Sequence, residues 1–265
     1  MRTFRAGTLN IWSRFGPWEE RLVALRAGLR EVDPDILGMQ EVLNYDGFDQ
    51  AALLAEGRYH IAWGRSSENH GFPTGNAILS RWPITRQEVI ELPNGGSDEQ
   101  RSIVFAECDS PYGKIPVFCT HLNWKLHHGH IRVLQVKALA EAVDRITPVG
   151  SGFPPILMGD FNAEPDSDEI RYLRGLTGLG GPCVYFCDAF GTAGDGTPGT
   201  TFSKRNPFAE PLREPERRID YVFVRGPDDA QRGEPRDARV CFDQAYEGTF
   251  PTDHFGVVTT ITAGR

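Results

Sequence analysis

Ile156-Leu157-Met158-Gly159-Asp160-Phe161-Asn162 is the stretch on which the fold turns. Three consecutive large apolar residues leave no polar face, so they read as a strand buried on both sides that ends at the Gly-Asp step. Just upstream, Ile131, Leu134, Ala138, Ala142 and Ile146 recur at helical spacing, which places a helix directly before that strand. The first part of the chain has the same order. A strand over 3–11 is followed by a helix with Trp18, Leu22, Leu25, Leu29 and Val32 on one face, closed by Asp33-Pro34, and then by the apolar run Ile36-Leu37-Gly38-Met39. Between the halves, a helix over 46–55 and strands near 59–63, 77–79, 84–92, 103–108 and 114–120 are expected; turn residues such as Pro93-Asn94-Gly95-Gly96 separate them. Further strands are expected at 219–224, 238–242 and 255–261. Two helix-then-strand halves with many strands between them predict two packed sheets flanked by helices. One domain over 1–265 is expected, with a long Gly/Pro-rich insertion loop around 175–218.

A chain of 265 residues with 40% hydrophobic content buries a sizeable core. Its formal net charge of −8 is the wrong sign for a protein that grips long nucleic acid through a basic surface. No apolar run approaches the length of a bilayer span, and Met1-Arg2-Thr3-Phe4 does not open a signal-peptide core, so the cytoplasm is the expected compartment, without stable membrane insertion. Five scattered cysteines with no CxxC pair read as buried thiols. Nothing points to an obligate protein partner.

The polar residues that carry chemistry fall at strand ends. Asn10 lies near the end of the first strand, Glu41 directly after the second, His121 at the end of the 114–120 strand, and Asp160 and Asn162 after 156–158. Asp220 sits inside an apolar strand, and Asp253-His254 opens the last one. Taken singly, Glu41 reads as a solvated loop residue and Gly159-Asp160-Phe161-Asn162 as a turn. Asp220 is different, because a buried carboxylate needs a cation or donor beside it, and His254 is the obvious partner. A cleft at the rim of a sheet requires this kind of repeated placement.

The ordered set Thr8-Leu9-Asn10-Ile11, Gln40-Glu41, Ala77-Ile78-Leu79-Ser80-Arg81, Thr120-His121-Leu122, Gly159-Asp160-Phe161-Asn162, Arg218-Ile219-Asp220-Tyr221 and Thr252-Asp253-His254 resembles the endonuclease/exonuclease/phosphatase superfamily. The resemblance implies an α/β fold, a four-layered α/β/β/α sandwich of two mainly antiparallel sheets, and hydrolysis of phosphate esters with Mg2+ or Mn2+. By the same pattern Glu41 is the principal metal ligand with Asn10 and Asp253 beside it. His254 is held by Asp220, Asp160 and Asn162 orient the attacking water, and His121 meets a phosphate oxygen or the leaving group. Whether His254 or Asp160 takes the proton stays open. The chain departs from pancreatic-deoxyribonuclease-type relatives where a glutamate partner of the histidine at the His121 position is expected: the segment reads Thr74-Gly75-Asn76-Ala77, leaving Asn76 as the substitute or as a turn residue.

Two segments bear on substrate. Asn123 and Lys125 follow His121 in a donor-rich run, and Arg205 and Asn206 belong to a basic stretch, with Lys204, Arg213, Arg217 and Arg218, that reads as an anion-binding lip. A phosphodiesterase acting on a small molecule, a lipid headgroup or a nucleotide is the first expectation. A nuclease acting on DNA or RNA, with a short nucleic acid as partner, is the alternative, and a non-catalytic binding module ranks last.

Overall fold

The computed structural model describes residues 1–264. Thirteen strands form two sheets. In the first, β12 (Pro235–Cys241), β13 (Gly256–Gly264), β1 (Arg2–Asn10), β2 (Ile36–Tyr45), β5 (Phe72–Ser80) and β4 (His60–Asn69) lie side by side, and the short β3 (Phe48–Asp49) pairs with β2. The second runs β10 (Cys187–Asp188), β11 (Asp220–Val224), β9 (Ile156–Asp160), β8 (Gly113–His121), β7 (Arg101–Ser110), β6 (Ile84–Leu92). Each sheet has one parallel pair at its centre, β1 with β2 and β8 with β9, and antiparallel neighbours elsewhere.

The layering follows from side-chain alternation along each strand. In β9, Ile156 and Met158 face the other sheet, whereas Leu157 packs under helices; in β11, Val222 and Val224 face inward while Tyr221 and Phe223 turn outward. The inward sets of both sheets make the central core with Ala6, Ile36, Ile78 and Val117. The outer face of the first sheet is covered by α1 (Trp18–Val32) and α2 (Gln50–Ala55) through Leu25, Leu29 and Leu54. On the second sheet, α3 (Gly129–Ile146) and α4 (Asp168–Leu173) supply Val136, Leu139, Ile170 and Leu173. The result is the α/β/β/α sandwich.

Three expectations change in detail. The 46–55 helix begins only at Gln50, because Phe48-Asp49 pairs with β2 and the Asp49 carboxylate caps the helix by accepting from the Ala52 amide. The strands near 59–63 and 77–79 are the inner ends of a longer hairpin, β4–β5, whose outer half is polar and so lacks an apolar pattern. The 175–218 segment is not featureless: it contributes β10 and α5 (Ala189–Ala193), fastened by the buried Arg218–Asp188 ion pair.

Candidate active site

The site forms where the inward face of the central strands runs out of apolar residues. Along β1 that face continues Phe4, Ala6, Thr8, Asn10; along β8, Val117, Cys119, His121; along β9, Ile156, Met158, Asp160; and β11 begins on it with Asp220. Register aligns the last three, since Asp160 pairs with His121 on one side and with Asp220 on the other. Four side chains from two sheets therefore meet at one end of the sandwich, and all four are buried.

Glu41 reaches the same point by a bulge. Met39 and Val42 both pack on the helix side, so a residue is inserted between them: the β2–β5 register shifts there, and Glu41 takes a left-handed φ of 60°. The carboxylate is thereby re-aimed, and Asn10 Nδ2 donates to Glu41 Oε1 at 3.1 Å and to Asp160 Oδ2 at 3.1 Å. Asn162 is left-handed too, with φ 50°; its amide N–H bonds Asp160 Oδ1 at 2.9 Å and its side chain donates to the Leu122 carbonyl. Non-glycine residues held in this region mark strain that the surroundings must maintain.

Asp253 and His254 arrive on the turn before β13. Thr252 fixes that turn, its hydroxyl donating to the Asn10 carbonyl at 2.8 Å and to Asp253 Oδ1 at 3.2 Å. His254 Nδ1 donates to Asp220 Oδ2 at 3.0 Å, and Nε2 lies 3.8 Å from Asp160 Oδ2. His121 Nε2 is 3.4 Å from the same Asp160 oxygen.

The electrostatics are those of crowded carboxylates. Burial, then the Asp220 charge, raises Asp160 to about 7; burial and then Glu41 raise Asp253 to about 6, against the pull of His254. Burial works to lower His254, but Asp220, Asp160 and Asp253 outweigh it and hold the imidazole well above its ordinary value. His121 goes the other way, driven well below by burial and by the Arg101 and His254 charges. Among the described residues, Asp220 Oδ1 is buried without a partner. Ligand atoms of Asp160, Asp220 and His254 all lie within 4.8 Å of one another. An oxygen-rich set with more buried negative charge than its neighbours neutralise fits a hard divalent cation.

The other sequence candidates are placed differently. Asn206 is buried, and its amide donates to the Thr252 carbonyl at 2.7 Å, so it braces the Asp253-His254 turn. Asn123 is buried as well, with Oδ1 accepting from the Lys125 amide and facing His128 Nδ1. Lys125 is half-buried beside Asp98, and Arg205 stacks over Phe255. Of the basic lip, Arg217 and Arg218 are buried in ion pairs with Glu214 and Asp188, which leaves Lys204, Arg205 and Arg213 at the surface. Asn76 donates to the Ser102 carbonyl at 3.0 Å and to Ser66 Oγ at 3.4 Å, and no bond to His121 occurs among the described residues.

Sequence reasoning missed Arg21. Its guanidinium is fully buried over the Trp12 ring and donates to the carbonyls of Ile11, Phe15 and Pro251, tying α1 to both loops that carry Asn10 and Asp253. Burial lowers Arg21 to about 10 although Asp253 and Glu41 oppose the shift. Its position four residues before Leu25 on the apolar face was the available signal.

Comparison with known proteins agrees with this architecture. Residues 7–254 match the model of the Endonuclease/Exonuclease/phosphatase family. The uncharacterised protein YbhP of Escherichia coli is 28% identical over 241 residues, covering 84% of this chain and 85% of that protein. An endonuclease/exonuclease/phosphatase structure from Beutenbergia cavernae superposes with a TM-score of 0.75 at 23% identity, over 100% of this chain and 72% of that one. The human Nocturnin catalytic domain with bound sulfate anion gives 0.72 at 22%, over 98% and 93%. These two structures share the fold.

Proposed function

The chain belongs to the endonuclease/exonuclease/phosphatase family, and on that premise we propose that it hydrolyses phosphate esters with a divalent cation, Mg2+ or Mn2+. The observation that carries the reading is the convergence of Asn10, Glu41, His121, Asp160, Asp220 and His254, drawn from both sheets, at the polar end of the inter-sheet face. Glu41, Asn10 and Asp253 would hold the cation, which when bound supplies positive charge for the phosphate and the departing alkoxide.

The remaining residues position and move protons. Asp220 fixes the tautomer and orientation of His254 through the 3.0 Å bond, and His254 in turn faces Asp160. His254 and Asp160 act as one coupled proton-accepting unit for the attacking water. Asn162 orients that water. Water attacks phosphorus as its proton passes to that unit, the P–O ester bond breaks, and the departing alkoxide takes a proton from solvent water, to which the unit later returns its own. His121, neutral because of its burial, donates to a non-bridging phosphate oxygen.

A small phosphodiester is the substrate this surface favours over a long nucleic acid. Net charge is −8, and two arginines expected in the basic lip are spent in buried pairs. The whole chain acts as one catalytic domain in this proposal. The test is a panel of p-nitrophenyl phosphate, bis(p-nitrophenyl) phosphate, plasmid DNA, single-stranded RNA and a choline phospholipid, each with wild-type protein and with His254→Ala. Hydrolysis of the small diester, lowered by at least about a thousandfold in His254→Ala, is expected. Cleavage of plasmid or RNA alone would replace this substrate class with the nuclease reading, and wild-type rates in His254→Ala would remove the site.

A further inference from the structure

The Glu41 carboxylate reaches the site because its backbone is left-handed, and the sheet does not hold that turn by itself. Pairing with β1 ends at Asn10–Gln40, and pairing with β5 passes from Met39–Ala77 to Val42–Gly75, so the ladder skips Glu41. Its carbonyl is met instead from the loop after β1, where Ser13 Oγ donates to it at 2.9 Å.

Ser13 is buried and is itself left-handed, with φ 41°, as is Trp12 before it, with φ 56°. Two non-glycine residues in a row persist in that region only where the surroundings fix them. Here the backbone is anchored on both sides of the hydroxyl. Arg21 donates to the carbonyls of Ile11 and Phe15, and Gln50 Nε2 donates to the carbonyl of Ser13 at 2.7 Å. Gln50 Oε1 in turn accepts from the Leu43 amide, just past the bulge, at 2.9 Å. None of these anchors uses the Ser13 hydroxyl, so its own contribution is the bond to Glu41.

A further contact sets the direction of that bond. Asn69 Nδ2, at the end of β4, donates to Ser13 Oγ at 3.3 Å. A carboxamide nitrogen only donates, so the hydroxyl accepts there and keeps its proton for the Glu41 carbonyl. One oxygen thus joins the polar tip of the β4–β5 hairpin to the bulge that aims Glu41.

We propose that Ser13 is a positioning residue for the divalent cation: its hydroxyl, aimed by Asn69, holds the left-handed turn that directs the Glu41 carboxylate. The proposal rests on the reading of Glu41 as a cation ligand. Groups that orient a ligand from behind contribute about 10–100-fold in metal affinity.

The experiment is a Mn2+ titration of the full chain followed by the electron paramagnetic resonance signal of free Mn2+, which needs no turnover, beside chemical denaturation of the metal-free protein. The variants are Ser13→Gly, Asn69→Ala, Glu41→Gln and the Ser13→Gly, Glu41→Gln double. Glycine suits a φ of 41°, so Ser13→Gly removes the hydroxyl while relieving backbone strain. The Kd for Mn2+ is expected to rise about 10–100-fold in Ser13→Gly and about threefold to tenfold in Asn69→Ala, with the denaturation midpoint retained. In the Glu41→Gln background, Ser13→Gly should add less than about threefold, because both changes act through one carboxylate. An unchanged Kd in Ser13→Gly, with or without a lowered midpoint, overturns the proposal, and so does a loss of the same size in the Glu41→Gln background. Wild-type Mn2+ affinity in Glu41→Gln defeats the cation-ligand reading itself, which separates that failure from a failure of Ser13 alone.

Discussion

Asp220 has no exposed surface and, among the described residues, one of its oxygens has no partner, yet it opens the wholly buried apolar strand β11. A fold tolerates that only when the other oxygen is bonded, and His254 supplies the bond at 3.0 Å. Replacing Asp220 by Asn preserves shape and removes the charge that sets the His254 tautomer. Turnover is expected to fall between about one hundred and ten thousand fold with KM little changed and the circular dichroism spectrum retained; a change confined to KM would place Asp220 outside the proton path. Asp220 was legible in the sequence because an acid inside Ile219–Val224 violates the burial pattern on its face. Arg21 left only its place on the apolar face of α1 as a signal, since a lone arginine on a helix reads as a surface residue until the carbonyls it satisfies, those of Ile11, Phe15 and Pro251, are brought to it by the tertiary fold.

At the scale of elements, the strands that could be read were the apolar ones. The inner β8, β9 and β11 announced themselves by composition, and alternation then fixed which residues share the inter-sheet face with His121 and Asp160. The outer half of the β4–β5 hairpin carries Arg65, Ser66, Ser67 and Glu68, and its pairing comes from register, which composition does not encode. The bulge that turns Glu41 inward was equally hidden, because it depends on where Met39 and Val42 pack. The close crossing of β2 over β9 depends on Gly38, where a Cβ would stand 2.6 Å from the Met158 side chain. Gly38→Ala is expected to cost about 1–3 kcal/mol of stability by overpacking. Met158→Ala combined with it should recover part of that loss, measured as a positive coupling in a chemical-denaturation double-mutant cycle. Additive losses would show that the two positions do not touch.

At the scale of the whole molecule, both sheets share one core and one site, so we propose that the chain unfolds as a single cooperative unit. Its stability without metal carries a pH signature. Asp160 and Asp253 have folded pKa values raised to about 7 and about 6, and His254 is raised as well, so each binds protons more tightly folded than unfolded and loses its contribution as pH rises through the folded value. His121, depressed by burial, opposes this only below its unfolded value near 6.5. The metal-free melting temperature should therefore fall between pH 6.5 and pH 8. The fall should shrink in Asp160→Asn, and stabilisation by added Mg2+ should be larger at pH 8 than at pH 6. A metal-free protein that gains stability across that interval would contradict the crowding of carboxylates on which the cation-binding reading depends.

The most direct test of that reading is the rate of bis(p-nitrophenyl) phosphate hydrolysis as free Mg2+ is titrated from chelated to millimolar levels, in wild type and in Glu41→Gln. The account predicts no turnover under chelation, saturation with Mg2+ in wild type, and in Glu41→Gln a rate lowered by several orders of magnitude together with a weaker Mg2+ dependence. Full turnover in chelator, or an unchanged Mg2+ response in Glu41→Gln, would contradict it.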